Sequence, residues 1–124
     1  MKLYAPQEYF SLTKEAKEEI CNGCGPKGIW KFFIKNILKL ICGKEACNIH
    51  DYMYHVGENL EDKKQSDRVF LNNLIRIIDS TTKYRFMLGF KFKIAKMAYK
   101  FVKDFGGKYF WDNKNKSENY QSVR

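Results

Sequence analysis

Proline is nearly absent from this chain. Its 124 residues include only Pro6 and Pro26, and none follows position 26. Proline removes a backbone donor and restricts the residue before it, so it interrupts helices and central strands. The chain after position 26 can therefore run as helices joined by short turns, and its apolar residues recur at helical spacing. The sequence predicts an all-α domain.

Glycines and capping residues divide the chain into five predicted helices. They cover 13–20 with Ser11 or Thr13 as cap, 29–41, about 45–58, 66–78 with Ser66 as cap, and 84–105, stopped by Gly106 and Gly107. The third and fourth are central and should pack antiparallel, because only a short connection joins them. We expect one domain over 1–112, closed by an apolar clasp at 109–111, and a polar tail over 113–124.

Helical periodicity also predicts which residues of two helices are buried. In the third helix the expected line is Ile49, Met53 and Val56. In the fifth helix the expected apolar face comprises Phe90, Ile94, Met97, Ala98, Phe101 and Val102, with the cations pointing away from it.

The charge is strongly positive and unevenly distributed. Lys and Arg number 23 against 14 Asp and Glu, a net charge of +9, and the segment 83–116 holds ten cations and two acids. Such a field favours an anionic partner, either a phospholipid surface or nucleic acid. No segment reaches the roughly 18 apolar residues of a membrane span, and the N-terminus of the given chain lacks the apolar core of a signal peptide.

The segment 29–41 is apolar around most of its circumference. Lysines recur along it at every fourth residue and form one stripe. It can lie flat on a membrane with its lysines at the headgroups, or it can be a core helix with snorkelling lysines. The candidate membrane-interface residues are Trp30, Lys31, Phe33, Lys35 and Lys39.

Four cysteines, Cys21, Cys24, Cys42 and Cys47, lie within 27 residues. An even, clustered set fits two disulfides or one tetrathiolate zinc site. Disulfides indicate an oxidising, extracellular setting. Zinc, together with the basic charge, indicates a nucleic-acid-binding module.

The densest group of chemically active residues lies in the third predicted helix. Helical spacing places Cys47, His50 and Tyr54 on one face, with Asp51 beside His50. A glycine-rich loop, Asn22-Gly23-Cys24-Gly25-Pro26-Lys27-Gly28, precedes this helix, and Asp67 opens the next one. In this order the motifs resemble the phospholipase A2 family, most closely its short viral and prokaryotic branch. The resemblance covers about 12–110.

The resemblance implies calcium-dependent hydrolysis of the sn-2 ester of glycerophospholipids at membrane surfaces. His50 would be the general base, Asp67 would orient it, and Tyr54 would hold Asp67. Calcium would polarise the ester carbonyl. Its implied ligands are the Asp51 carboxylate and loop carbonyls from Gly23, Gly25 and either Lys27 or Gly28.

The resemblance also implies that Cys24 pairs with Cys47 and supports the loop. Cys21 and Cys42 then remain, and a second bridge between them is inferred from number alone. Two departures stand out, since the loop is one residue longer than the tightest family spacing and the 30–41 helix enlarges the stretch before the histidine. We expect a secreted enzyme that binds an anionic phospholipid surface, without nucleic acid, and no protein partner is inferred. A catalytically weak, membrane-disrupting protein on the same fold is the alternative.

Overall fold

The computed structural model describes residues 2–21 and 43–111. These residues form helices α1 (Gln7–Phe10), α2 (Lys14–Ile20), α3 (Lys44–Val56), α4 (Leu60–Thr81), α5 (Arg85–Phe105) and α6 (Gly107–Trp111). Within the described ranges there is no strand, so the all-α prediction is confirmed there. The predicted helix at 29–41 and the polar tail lie outside these ranges.

Local capping explains where the helices begin. The Thr13 side chain accepts a hydrogen bond from the Ala16 amide at 3.1 Å, so Thr13 caps α2 and not Ser11, the other predicted candidate. The predicted start of α4 at Ser66 was wrong. Asn59 caps this helix by accepting from the Asp62 amide at 2.9 Å, and the Ser66 hydroxyl donates to the Asp62 carbonyl from inside the helix. The polar stretch after Asn59 is therefore the first part of a longer helix.

The main core lies where α3, α4 and α5 pack together. Its buried side chains are Ala46, Cys47, Phe70, Leu74, Ile77, Ile78, Ile94, Ala95 and Ala98. Residues 57–59 separate α3 from α4. His50 near the middle of α3 packs on Phe70, whereas Tyr54 near its end lies beside Lys63 near the start of α4. The later residue of α3 thus contacts the earlier residue of α4, so the two helices pack antiparallel, as the sequence predicted.

The N-terminal segment packs against the central helices. Tyr9 is buried beside Ile49 and Tyr52 of α3, and its hydroxyl donates to the Glu45 carboxylate. Nearer the N-terminus, the backbone of Tyr4 is bound by the side chain of Asn73 in α4. The Asn73 side chain accepts a hydrogen bond from the Tyr4 amide and donates one to the Tyr4 carbonyl, each at 2.8 Å. This amide pairing attaches an extended piece of chain to a helix by satisfying two backbone groups.

The predicted buried faces were only partly correct. Ile49, Ile94 and Ala98 are buried, but Val56 is 47% exposed, Phe90 60% and Met97 55%. Part of the apolar arc of α5 therefore faces solvent. None of the described helices is long and apolar enough to cross a membrane.

Candidate active site

His50 lies near the middle of α3 and faces α4. The residue is 7% exposed, and its Nε2 is 2.8 Å from Oδ1 of Asp67. The ring packs between Tyr54 and Phe70, with centroid separations of 4.1 and 4.7 Å. Because the imidazole is enclosed by aromatic rings and bonded at one nitrogen, its orientation is fixed.

Tyr54 follows His50 by one helical turn and binds the same carboxylate. Its hydroxyl donates to Oδ1 of Asp67 at 2.7 Å, and its ring packs edge-on against Phe110 of α6. The predicted apolar clasp thus exists as a short helix that covers the tyrosine. The structure therefore brings together the three residues that the sequence predicted as catalytic.

Gly106, between α5 and α6, allows this close approach. A Cβ at Gly106 would lie 2.5 Å from the Tyr54 hydroxyl and 2.3 Å from the Val102 carbonyl oxygen. Its φ of −74° is open to any residue, so space and not backbone conformation requires glycine here. The predicted break after α5 is therefore also a packing requirement of the site.

Lys63 is part of the site and was missed by the sequence analysis. It is 5% exposed, and its Nζ lies 2.8 Å from Oδ2 of Asp67. The same ammonium donates to the carbonyls of Val102 and Lys103, at 3.2 and 3.3 Å, in the last turn of α5. A cation suits this position because the C-terminal end of a helix carries partial negative charge. The sequence did offer one signal for this contact, because a lysine four residues before an aspartate lies on the same face of a helix and can pair with it.

The carboxylate of Asp67 remains charged although it is 2% exposed. Burial alone would raise the pKa of Asp67, but hydrogen bonds from His50, Lys63 and Tyr54 outweigh it and hold this pKa below its usual value. Burial lowers the pKa of His50, although the bond and charge of Asp67 oppose it. Burial, and then the bond to Asp67, raises the pKa of Tyr54. The resting site thus contains a neutral imidazole, an ionised carboxylate and a phenol that stays protonated.

Asp51, the predicted calcium ligand, follows His50 on α3, and its Oδ2 is buried. At the end of α2 the Cys21 thiol donates to the Asn48 carbonyl at 3.2 Å. Burial, followed by the negative charges of Asp51 and Glu45, raises the pKa of this thiol to about 11. The residue that immediately precedes the predicted loop is therefore held against the part of α3 that carries Asp51.

The remaining predicted ligands, Gly23, Gly25, Lys27 and Gly28, lie outside the described residues, as do the five candidate membrane-interface residues of 30–39. Among the described residues, no three His, Cys, Asp or Glu side chains gather as a metal site. The ligand set that the sequence predicted has a single carboxylate and is otherwise made of backbone carbonyls. A carboxylate with carbonyl oxygens is a ligand type that calcium accepts.

The cysteines differ in part from the sequence prediction. Cys21 is a free thiol, so the bridge predicted between Cys21 and Cys42 is not what the structure contains. The bridge was inferred only from the number of cysteines. In the structure the Cys21 thiol instead donates a hydrogen bond to a backbone carbonyl of α3. Cys47 is buried in α3 one turn before His50, and its predicted partner Cys24 lies outside the described residues.

Comparisons of the chain with protein-family models, curated proteins and solved structures find no match.

Proposed function

We propose that this protein is a calcium-dependent hydrolase that cleaves the sn-2 ester of glycerophospholipids at membrane surfaces. The observation that carries the proposal is the buried array of His50, Asp67 and Tyr54. Its members come from two antiparallel helices and occur in the order expected from the resemblance to phospholipase A2. The Cys24–Cys47 bridge belongs to the same proposal and would suit an extracellular setting.

The array has the properties of a general base. Asp67 binds Nε2 of His50, so Nδ1 is the nitrogen that would remove a proton from an attacking water. As the water oxygen bonds to the ester carbon, His50 becomes an imidazolium, and the adjacent carboxylate of Asp67 stabilises that charge. The same proton then passes to the glycerol oxygen as the ester bond breaks. Products are a free fatty acid and a lysophospholipid.

Tyr54 and Lys63 keep Asp67 in its working state. Tyr54 shares Oδ1 with His50, whereas Lys63 occupies Oδ2. With both oxygens bound, the carboxylate has a fixed orientation and does not compete for the proton that His50 carries. Lys63 is therefore a positioning residue in the proposed reaction.

Calcium would be held by Asp51 and by carbonyls of the loop at 23–28. When bound, it would supply Lewis-acid stabilisation of the developing negative charge on the ester oxygen. The contact of Cys21 with α3 supports this assignment, because it holds the residue just before the loop against the helix of Asp51.

A positional lipid assay tests the proposal. Vesicles of phosphatidylglycerol with palmitate at sn-1 and oleate at sn-2 are incubated with the protein, with calcium or with chelator. We expect release of oleate and of palmitoyl lysophospholipid with calcium, and none with chelator. Release of palmitate first, oleate release unaffected by chelator, or no release at all would contradict the proposal.

A further inference from the structure

The outer face of α5 carries large apolar side chains that the core does not cover. Phe86 is 81% exposed, Phe90 60% and Met97 55%. Their spacings of four and seven residues place them on one face of the helix, which we name the apolar row. Ile94, Ala95 and Ala98 supply the buried contacts on another side of α5.

A row of cations runs beside the apolar row. Lys93, Lys96, Lys100 and Lys103 are all exposed, and Asp104 is the one acid between Arg85 and Phe105. At 100° per residue, the mean direction of these lysines lies roughly 80° around the helix from that of the apolar row. We name these four residues the lysine row.

We propose that the apolar row and the lysine row together form the surface that binds anionic phospholipid bilayers. A helix lying in a membrane interface inserts its apolar side chains at the acyl boundary and places lysines at the headgroups. In a two-fold dimer formed through this face, a second copy of the chain would bring the same four lysines and a single acid. Charge complementarity therefore favours an anionic lipid over self-association.

The last turn of α5 links the lysine row to the candidate active site. Lys103 belongs to the lysine row, and its backbone carbonyl accepts a hydrogen bond from Lys63, which binds Asp67. A bilayer bound along α5 would thus meet the end of the helix that contacts the catalytic array. The inference depends on the proposed function for its substrate, since it names the surface that brings lipid to the site.

Binding is measured apart from catalysis by using ether-linked phospholipids, which contain no ester to hydrolyse. Co-sedimentation with phosphatidylglycerol vesicles is compared with co-sedimentation with phosphatidylcholine vesicles. The first variant is Lys93→Gln/Lys96→Gln/Lys100→Gln. Its matched control, Lys14→Gln/Lys44→Gln/Lys64→Gln, removes the same charge from exposed positions on other helices.

Each lysine near an anionic leaflet contributes about five-fold in binding, so the α5 triple variant should bind about 100-fold more weakly. The control triple should lose less than about ten-fold, because its charges lie away from the contact and are screened. Equal losses in the two triples, or equal binding of the wild type to both lipids, would overturn the proposal.

The apolar row is tested by Phe86→Ser/Phe90→Ser, with Phe10→Ser/Leu60→Ser as the control. The controls are also exposed, at 64% and 52%, so both pairs should leave the fold intact by circular dichroism. We expect the α5 pair to lose at least about ten-fold in binding and the control pair to be unchanged. A dimer in gel filtration that Phe86→Ser/Phe90→Ser dissolves would instead assign the surface to a second copy and overturn the lipid proposal.

The result also separates this inference from the proposed function. If the α5 variants lose vesicle binding but the wild type does not hydrolyse ester lipids, the proposed function fails and the binding surface stands. If ester lipids are hydrolysed while the α5 variants bind normally, the inference fails and the proposed function stands.

Discussion

Replacing Lys63 by Met should destabilise the protein far more than replacing its neighbour Lys64. Lys63 is 5% exposed and lies 2.8 Å from Oδ2 of Asp67, whereas the Lys64 side chain is 55% exposed and lies 3.8 Å from Glu61. Methionine keeps the length of the side chain but removes the ammonium. The substitution would then leave Oδ2 of Asp67 without its charged donor, and the Val102 and Lys103 carbonyls would lose the ammonium.

Removing one partner of a buried ion pair costs about 3–5 kcal/mol, chiefly because the other charge stays buried. Asp67 keeps the bonds from His50 and Tyr54 on its other oxygen, so we expect the lower end, about 3 kcal/mol, for Lys63→Met. Exposed pairs contribute about 0–1 kcal/mol, which is the expectation for Lys64→Met.

Urea unfolding followed by circular dichroism measures both values. With a slope of about 1.5 kcal/mol per molar urea for a chain of this size, Lys63→Met should lower the midpoint by about 2 M. Lys64→Met should lower it by less than about 0.7 M on the same slope. Midpoints for the two variants that agree within error would refute the view that Lys63 is a buried partner of Asp67.

Three further predictions test other features of the fold and site. Gly106→Ala should cost about 1–3 kcal/mol in thermal unfolding because its Cβ meets a carbonyl and a tyrosine hydroxyl, whereas Gly89→Ala, with open space around it, should gain about 0.5–1 kcal/mol; equal effects would refute the packing argument. The free energy of unfolding should fall as pH drops below 6.5, because burial lowers the pKa of His50 and the unfolded chain takes up a proton that the folded chain does not. The free energy of unfolding should fall again below pH 3.8. The pKa of Asp67 is held low in the fold, so the unfolded chain takes up a proton that the folded chain does not. Unfolding curves independent of pH from 7 to 3 would contradict both assignments. Alkylation of Cys21 by iodoacetamide, followed by peptide mass spectrometry, should be slower by about ten-fold or more than that of a thiol with the reference pKa of 9.0. Burial raises this pKa to about 11, and the higher nucleophilicity of the thiolate only partly compensates for its lower population; an ordinary rate would show that the thiol is not held against α3.

Local spacing placed His50 and Tyr54 together, whereas Asp67 was assigned through the resemblance to the phospholipase A2 family. His50 and Tyr54 are four residues apart and share a helix face, and a short connection makes the next helix antiparallel, which returns Asp67 to them. Helix order, the Thr13 cap and the break at Gly106 follow from equally local chemistry.

Features that depend on tertiary packing were harder to predict. Lys63 was missed because lysine is ordinarily exposed, and its burial depends on the end of α5, about 40 residues away. The start of α4 was placed too late because its first residues are polar, although Asn59 was available as a cap. Phe90 and Met97 were assigned to the core because periodicity shows which residues share a face and not how much of that face its neighbours cover.

The central claim is that His50 removes the proton from water during ester hydrolysis. The chain has two histidines, and His55, exposed on the same helix, provides the matched control. Initial rates of fatty-acid release from phosphatidylglycerol vesicles with calcium are compared for wild type, His50→Gln and His55→Gln, after circular dichroism shows that each is folded. Loss of a general base costs about 10²- to 10⁴-fold, so His50→Gln should lose at least about 100-fold while His55→Gln keeps the wild-type rate. A folded His50→Gln protein that hydrolyses lipid at the wild-type rate would contradict the account.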